Sequence, residues 1–512
     1  MNKLANSIAS RFCQIADKFE NKTAICCEDK SLTYRQLKEL SCKYAIFLTK
    51  NGVKYGDVIG VPLNISIESV ALMLASSIIG AALAPVNATL PAEDLVKAFK
   101  SACVKHIVAR KSFFNDMTGT CLQGSNIECK LCLDGTIDGI HSFSEVLNEH
   151  YQVPDLSILT GNETFILTLT SGSTGTPKPI ELTQKNKLER ADAHIQLYGI
   201  NFKDRILAAT PLYHSLAERL VIMPLIVGAT SVLLPRFTPE NWFTCVAVNR
   251  ITFTIAVSSQ LKQIAKVMKE KQHDISDMRL IVSSSAVLEE SVKKILINQL
   301  NCEFHEMYGT SECSTVTDLD FSRSKEKQGS IGKPLPNVEV KILDERHHVL
   351  PDGNIGEIAV KTPLLCNSYY LLPEKMKMST TGDGYFLTGD LGQKDEEGFI
   401  YYKGRKKDII ITGGINVFPQ DIEQKILELN GVVECAAFAI PDEHLGESVA
   451  LAVIIEKDSE ITTRSLRLFC AKKLADFQQP HHFFFVEKLP KNTMGKLERR
   501  KLPMIIQTQK RD

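Results

Sequence analysis

The run Thr168-Leu169-Thr170-Ser171-Gly172-Ser173-Thr174-Gly175-Thr176-Pro177-Lys178 concentrates hydroxyl side chains, two glycines and a lysine directly after an apolar stretch. Successive backbone N–H groups in such a turn make a concave anion site, hydroxyls add donors, and the lysine brings a mobile point charge. The chemistry this suits is the local grip on an anion, with the phosphate-binding P-loop the natural comparison. It is not a Walker A loop, because Thr176-Pro177-Lys178 follows Gly175 where that motif has a Lys-Ser/Thr pair, which argues against a P-loop ATPase or kinase. A flexible polar linker shares the composition, so the loop alone leaves both readings open.

Four further motifs follow in order: Tyr308-Gly309-Thr310-Ser311-Glu312, Thr388-Gly389-Asp390, Gly404-Arg405-Lys406-Lys407-Asp408, and Pro490-Lys491-Asn492-Thr493-Met494-Gly495-Lys496. Together with the loop they resemble the adenylate-forming superfamily, which includes acyl-CoA synthetases, luciferases and the adenylation domains of peptide synthetases. The resemblance runs from about residue 20 to residue 500. Ser311 stands where the family usually has threonine, a mild change that keeps a hydroxyl. Pro179 replaces a usual glycine and should stiffen the exit from the loop.

The resemblance implies attack of a carboxylate on the α-phosphate of ATP, giving an acyl-adenylate and pyrophosphate. Two anions must meet, so preorganised cations and donors are required. By resemblance, Thr170, Ser171, Ser173, Thr174 and Lys178 grip the β- and γ-phosphates, with Gly172 and Gly175 letting the loop fold over them. Glu312 is the magnesium ligand and Ser311 a donor to the α-phosphate. Tyr308, with Gly309 beside it, offers an aromatic face to adenine, and the Ser284-Ser285-Ala286 turn lines the adenine and acyl pockets. Asp390 and Arg405 bind the ribose hydroxyls, and Lys496 reaches the carboxylate and α-phosphate. Lys407 is the hinge whose rotation withdraws Lys496 before a thiol step, and Gly413-Gly414 lets a pantetheine arm pass. The cofactors implied are ATP, Mg2+ and coenzyme A as co-substrate.

Amino-acid-activating relatives carry an aspartate after the loop to hold the substrate ammonium. Here the segment reads Pro211-Leu212-Tyr213-His214-Ser215, which puts His214 there and disfavours an amino acid. The acid expected is fatty or aryl. Glu218 lies one helical turn beyond His214, so a local pair is the simplest expectation; the sharper one is that Glu218 or Arg219 selects a polar or dicarboxylic acid. No carrier domain follows Lys496, so coenzyme A is the expected acceptor and a free acyl carrier protein the rival. A catalytically silent binding protein would be expected to have lost Lys496, Glu312 or Asp390, and all are present.

The elements that must position these residues read as α/β. YRQLKELSCKYAIFLTKNGV is an amphipathic helix ending at Asn51-Gly52, DVIGVPL a strand, and Val70–Val86 a buried helix followed by a buried strand. ILAATPL, ATSVLLP, TFTIAVS and RLIVSSS are strand-length runs separated by helical segments. After about residue 325, glycine-punctuated strands such as VEVKILD, GEIAVKTP and GFIYYKG suggest an antiparallel subdomain. The expected fold is a large N-terminal domain, 1–404, of layered α/β subdomains plus a β-rich one. A hinge at 405–408 and a small mobile α+β C-terminal domain, 409–512, follow it.

With 512 residues, more than one domain is expected. A composition of 44% hydrophobic and 23% charged residues is that of a soluble globular protein. Lysine plus arginine equal aspartate plus glutamate at 60 each, so no global basic field favours nucleic acid or anionic membrane. The N-terminus lacks the apolar core of a secretion signal. Fourteen scattered cysteines argue for reduced thiols and a cytoplasmic location. Cys129 and Cys132 have metal-ligand spacing, with Cys121 upstream, but no second ligand pair lies nearby.

Overall fold

The computed structural model describes residues 6–116, 126–170, 177–271, 273–491 and 497–509. Its largest sheet runs Lys333–Pro334, Ser314–Asp320, Glu303–Thr310, Leu280–Ser284, Phe253–Val257, Arg205–Ala208, Thr230–Leu233, Thr23–Cys27, Lys30–Thr33. The four apolar runs expected as strands are its parallel centre. Their residues are almost all buried, which explains why they read as continuous hydrophobic runs rather than alternating ones.

A second, eight-stranded sheet carries the hairpin Thr164–Thr170 and Lys178–Thr183 toward one edge, beyond Ala82–Val86 and Val58–Pro62. A single apolar core joins the two sheets through helices Ile67–Ile79 and Ser215–Leu225. The Val70–Val86 segment divides as expected, with Gly80 ending the helix in the left-handed region at φ 69° before the strand Ala82–Val86 begins. Helix Tyr34–Lys50 opens on a capping box, Thr33 with Gln36, and closes at Asn51.

Downstream, Glu339–Leu343, Gly356–Lys361, Phe386–Lys394 and Ile400–Arg405 form the expected antiparallel sheet. One turn, Lys406–Asp408, follows, and Ile410–Thr412 opens a different sheet, packed by helices Pro419–Ile426 and Thr463–Lys473. The apolar clusters before and after this turn share no residue. Cys129 and Cys132 begin and end one strand, so their side chains face opposite sides and cannot share an ion; the Cys132 thiol donates to the Asp134 carbonyl at 2.7 Å. Cys121 lies outside the described residues, as does any ligation through it. Among the described residues every cysteine is free, and no helix is long and apolar enough to cross a membrane.

Candidate active site

The hairpin sets Thr170 directly opposite Lys178, so the two ends of the hydroxyl- and glycine-rich segment are register partners. Ser171, Gly172, Ser173, Thr174 and Gly175 lie outside the described residues. Pro179 pairs with Leu169, and its carbonyl accepts the Tyr370 N–H at 2.8 Å. The neighbouring strand Ser368–Tyr369 thereby lies against the exit of the loop.

Ser311 and Glu312 occupy the turn between Glu303–Thr310 and Ser314–Asp320. Glycine is required at 309, where a Cβ would lie 1.9 Å from the Ser314 carbonyl oxygen. Ser314 itself is left-handed at φ 63°, a strained setting for a non-glycine residue. Three groups hold Glu312. Its carbonyl accepts from the Cys366 N–H at 2.8 Å and from the Arg190 guanidinium, which also donates to the Ser311 carbonyl at 2.9 Å. Its carboxylate accepts from the Tyr369 hydroxyl at 2.9 Å, and it makes no ion pair with a lysine, arginine or histidine among the described residues. A carboxylate held only by a neutral donor fits a cation, and among the described residues no group of three or more acidic, histidine or cysteine side chains offers a denser site.

Asp390 and Arg405 are cross-strand partners and form an ion pair, with Arg405 Nε 2.7 Å from Asp390 Oδ1, while the Tyr308 hydroxyl donates to Oδ2 at 2.8 Å. Residues from three separate motifs thus meet at one buried carboxylate. Burial, then the Asp390 charge, push the Tyr308 phenol far up. Burial works against the Arg405 charge, but Asp390, with Tyr402, Tyr308 and Glu312 behind it, raises that guanidinium overall. Both the Asp390 charge and, more weakly, the Glu312 charge act on the Arg405 guanidinium.

Ser284 ends a parallel strand and Ser285 turns it at φ 78°, leaving Ser285 and Ala286 exposed at the carboxyl end of the sheet, where ligands of open α/β sheets bind. His214 caps the helix Ser215–Leu225, its ring 4.5 Å from that of Tyr213, and burial pulls its pKa down to about 4. Lys407 is exposed in the turn between the two sheets, and Gly413 and Gly414, at φ 55° and 81°, close the hairpin Ile410–Val417 with open space around Gly414. Lys496 lies outside the described residues; on either side of its segment Lys491 bridges Leu497 and the Arg499 guanidinium meets Glu423 at 2.7 Å.

One expectation is overturned. Glu218 does not pair with His214: its carboxylate accepts from Lys187 Nζ at 2.7 Å, with the two side chains 0% and 4% exposed. Glu218 points inward toward helix Gln184–Leu197, while His214 sits outside the first turn as its cap. That helix buries a polar stripe, Lys187, Arg190 and His194, against the protein interior. Arg190 and Tyr369, the two side chains that hold Glu312, escape sequence reasoning. Arg190 left a trace, since basic residues at 187, 190 and 194 share one helical face; Tyr369 left none.

The family model for AMP-binding enzyme matches residues 12–370, and that for the AMP-binding enzyme C-terminal domain matches residues 421–496. A long-chain-fatty-acid–CoA ligase, FadD13 of Mycobacterium tuberculosis, is 27% identical, the match covering 92% of each chain. ATP-bound MatB from Rhodopseudomonas palustris is similar in structure, with a TM-score of 0.88 and 27% identity over 97% of this chain and 98% of that one. The o-succinylbenzoate CoA synthetase MenE from Bacillus subtilis, in complex with the acyl-adenylate intermediate OSB-AMP, has a TM-score of 0.85 and 26% identity, covering 96% and 97%.

Proposed function

The chain belongs to the AMP-binding enzyme family, and on that premise we propose that it activates a carboxylic acid with ATP and transfers the acyl group to coenzyme A. The observation that carries this is the meeting of Tyr308, Asp390 and Arg405 at one carboxylate. Such a buried carboxylate, braced by a phenol and a guanidinium, is a rigid acceptor for sugar hydroxyls.

In the first half-reaction the substrate carboxylate attacks the α-phosphorus and the bond to pyrophosphate breaks. Lys178 and the loop hold the leaving phosphates, Ser311 donates to the α-phosphate, and Asp390 and Arg405 fix the nucleoside so that the attack is in line. Magnesium, when bound at Glu312, supplies positive charge to the phosphate oxygens. Tyr369 and Arg190 keep Glu312 at its station by holding its carboxylate and its carbonyl. Lys496 brings a compact cation to the carboxylate and α-phosphate. In the second half-reaction the thiol loses its proton, its sulfur bonds to the acyl carbon, and AMP leaves. Rotation at 405–408, between a large domain ending at residue 404 and a small one beginning at residue 409, exchanges Lys496 for the face carrying Gly414. The separate apolar cores on the two sides of that turn support such a movement.

Relatives named as CoA ligases support coenzyme A as acceptor over a free acyl carrier protein. The cysteines found free are consistent with a cytoplasmic location. The test is carboxylate-dependent ATP–pyrophosphate exchange across an acid library, followed by mass detection of thioesters with coenzyme A present. A protein that binds nucleotide without chemistry gives neither signal, and a carrier-protein ligase gives exchange without acyl-CoA.

A further inference from the structure

Three basic side chains are buried beside the Glu312 turn, and two of them are accounted for. Lys187 is neutralised by Glu218. Arg190 spends its donors on the carbonyls of Ser311, Glu312 and Leu364, a set that fixes backbone. Arg219, 8% exposed, is different. Its Nη1 lies 3.1 Å from His194 Nε2 and 3.4 Å from His194 Nδ1, and donates to Thr315 Oγ1 at 3.2 Å; Nη2 donates to Ser314 Oγ at 3.2 Å. None of these partners carries negative charge, and the nearby Glu218 carboxylate is already engaged by Lys187. Arg219 makes no ion pair among the described residues.

A buried guanidinium whose hydrogen-bond partners are all neutral is costly, because the one acid charge acting on it, Glu218, is shared with Lys187 and repays little of the desolvation. Burial pulls its pKa down to about 10, which leaves it cationic at neutral pH. Its neighbours show where it faces. Ser314 and Thr315 are the second and third residues after Glu312, and Arg219 itself stands five residues, about 7–8 Å of helix, beyond His214. The guanidinium therefore lies one layer behind the residues to which the activation of the acid was assigned above. The left-handed Ser314 is part of the same shell.

We infer that Arg219 is the anchor for a second carboxylate on the substrate, so that the preferred acid is a dicarboxylic acid rather than a plain fatty acid. The second carboxylate is the missing counter-charge, and guanidinium and carboxylate match as a two-pronged pair. This rests on the proposed activation of an acid at Ser311 and Glu312 and adds the class of acid. Glu218, the other candidate for such a role, is excluded by its pairing with Lys187.

The experiment is ATP–pyrophosphate exchange with aliphatic and aryl dicarboxylates of graded length, each beside the monocarboxylate of matched length. Wild-type protein, Arg219→Gln and Arg219→Lys are compared, with folding of each variant checked by circular dichroism. The wild type should prefer one length of dicarboxylate to its matched monocarboxylate. Arg219→Gln should lower kcat/KM for that dicarboxylate on the order of 100-fold or more, because a site built for a polar group discriminates strongly. The matched monocarboxylate should change by less than about 3-fold, and Arg219→Lys should retain part of the preference. A wild type that favours no dicarboxylate overturns the inference without any variant, and so does a Gln variant that slows both acids equally. Exchange with monocarboxylates alone leaves the activity proposed above standing while this inference falls. Absence of exchange with every acid removes both.

Discussion

Asp390→Asn tests the proposed nucleoside grip at its centre. The substitution keeps shape and removes charge. Asp390 is buried, its carboxylate ion-paired with Arg405 Nε at 2.7 Å and accepting from the Tyr308 hydroxyl at 2.8 Å. An asparagine has one acceptor oxygen and one NH2 group, so at least one of these two donors would meet another donor. A buried donor left without an acceptor costs about 1–3 kcal/mol. Loss of the carboxylate also strands the Arg405 guanidinium, at about 3–5 kcal/mol for a fully buried pair. The Arg405 side chain is 30% exposed and can turn partly to water, which brings the net down to about 2–4 kcal/mol.

Scanning calorimetry should show the first melting transition of Asp390→Asn below that of the wild type by several degrees. Tyr308→Phe removes one of the two donors and should relieve part of the cost. A double-mutant cycle between the two positions should therefore return a coupling of about 1 kcal/mol or more. In the exchange assay the same variant should raise KM for ATP more than it lowers kcat, because the grip on the ribose acts in ground state and transition state alike. Unchanged melting, zero coupling and an unchanged KM for ATP would refute the assignment of Asp390 as the hub of this cluster.

Lys496→Ala should lower adenylation by several orders of magnitude while thioester formation from a supplied acyl-adenylate largely survives; equal loss of both half-reactions would contradict the two-conformation scheme. Lys187→Met should destabilise by about 3–5 kcal/mol by stranding Glu218 in the interior. The double replacement Lys187→Met with Glu218→Leu should recover most of that loss in chemical denaturation, and no recovery would speak against a paired charge. His214 should make stability pH-dependent: its folded pKa is pulled to about 4 from the ordinary 6.5. Between those values the unfolded chain binds a proton that the folded one refuses. The contribution is therefore present above pH 6.5 and is lost as pH falls toward 4, by about 2–3 kcal/mol. Urea melts of His214→Asn across that window should lack this slope, and an unaltered slope would assign the titration elsewhere.

Much of the frame was legible in the chain. The buried helix and strand at Val70–Val86, the four parallel strands and the capped helix at Tyr34 follow from local rules of periodicity and punctuation, and each is found where those rules put it. The motif residues were legible for a different reason. They were read by resemblance, and their types suit the phosphate, sugar and metal chemistry proposed for them.

Sequence alone determined which residues could meet a nucleotide and in what order they come. Tertiary structure decided what each charged side chain faces. Glu218 took Lys187, 31 positions away, rather than His214 on its own helix. Tyr369 reached Glu312 across 57 positions, and Arg219 was left without an ion pair among the described residues. These outcomes depend on which faces of distant elements are packed together, and the desolvation that makes a buried charge consequential exists only once the core has closed around it.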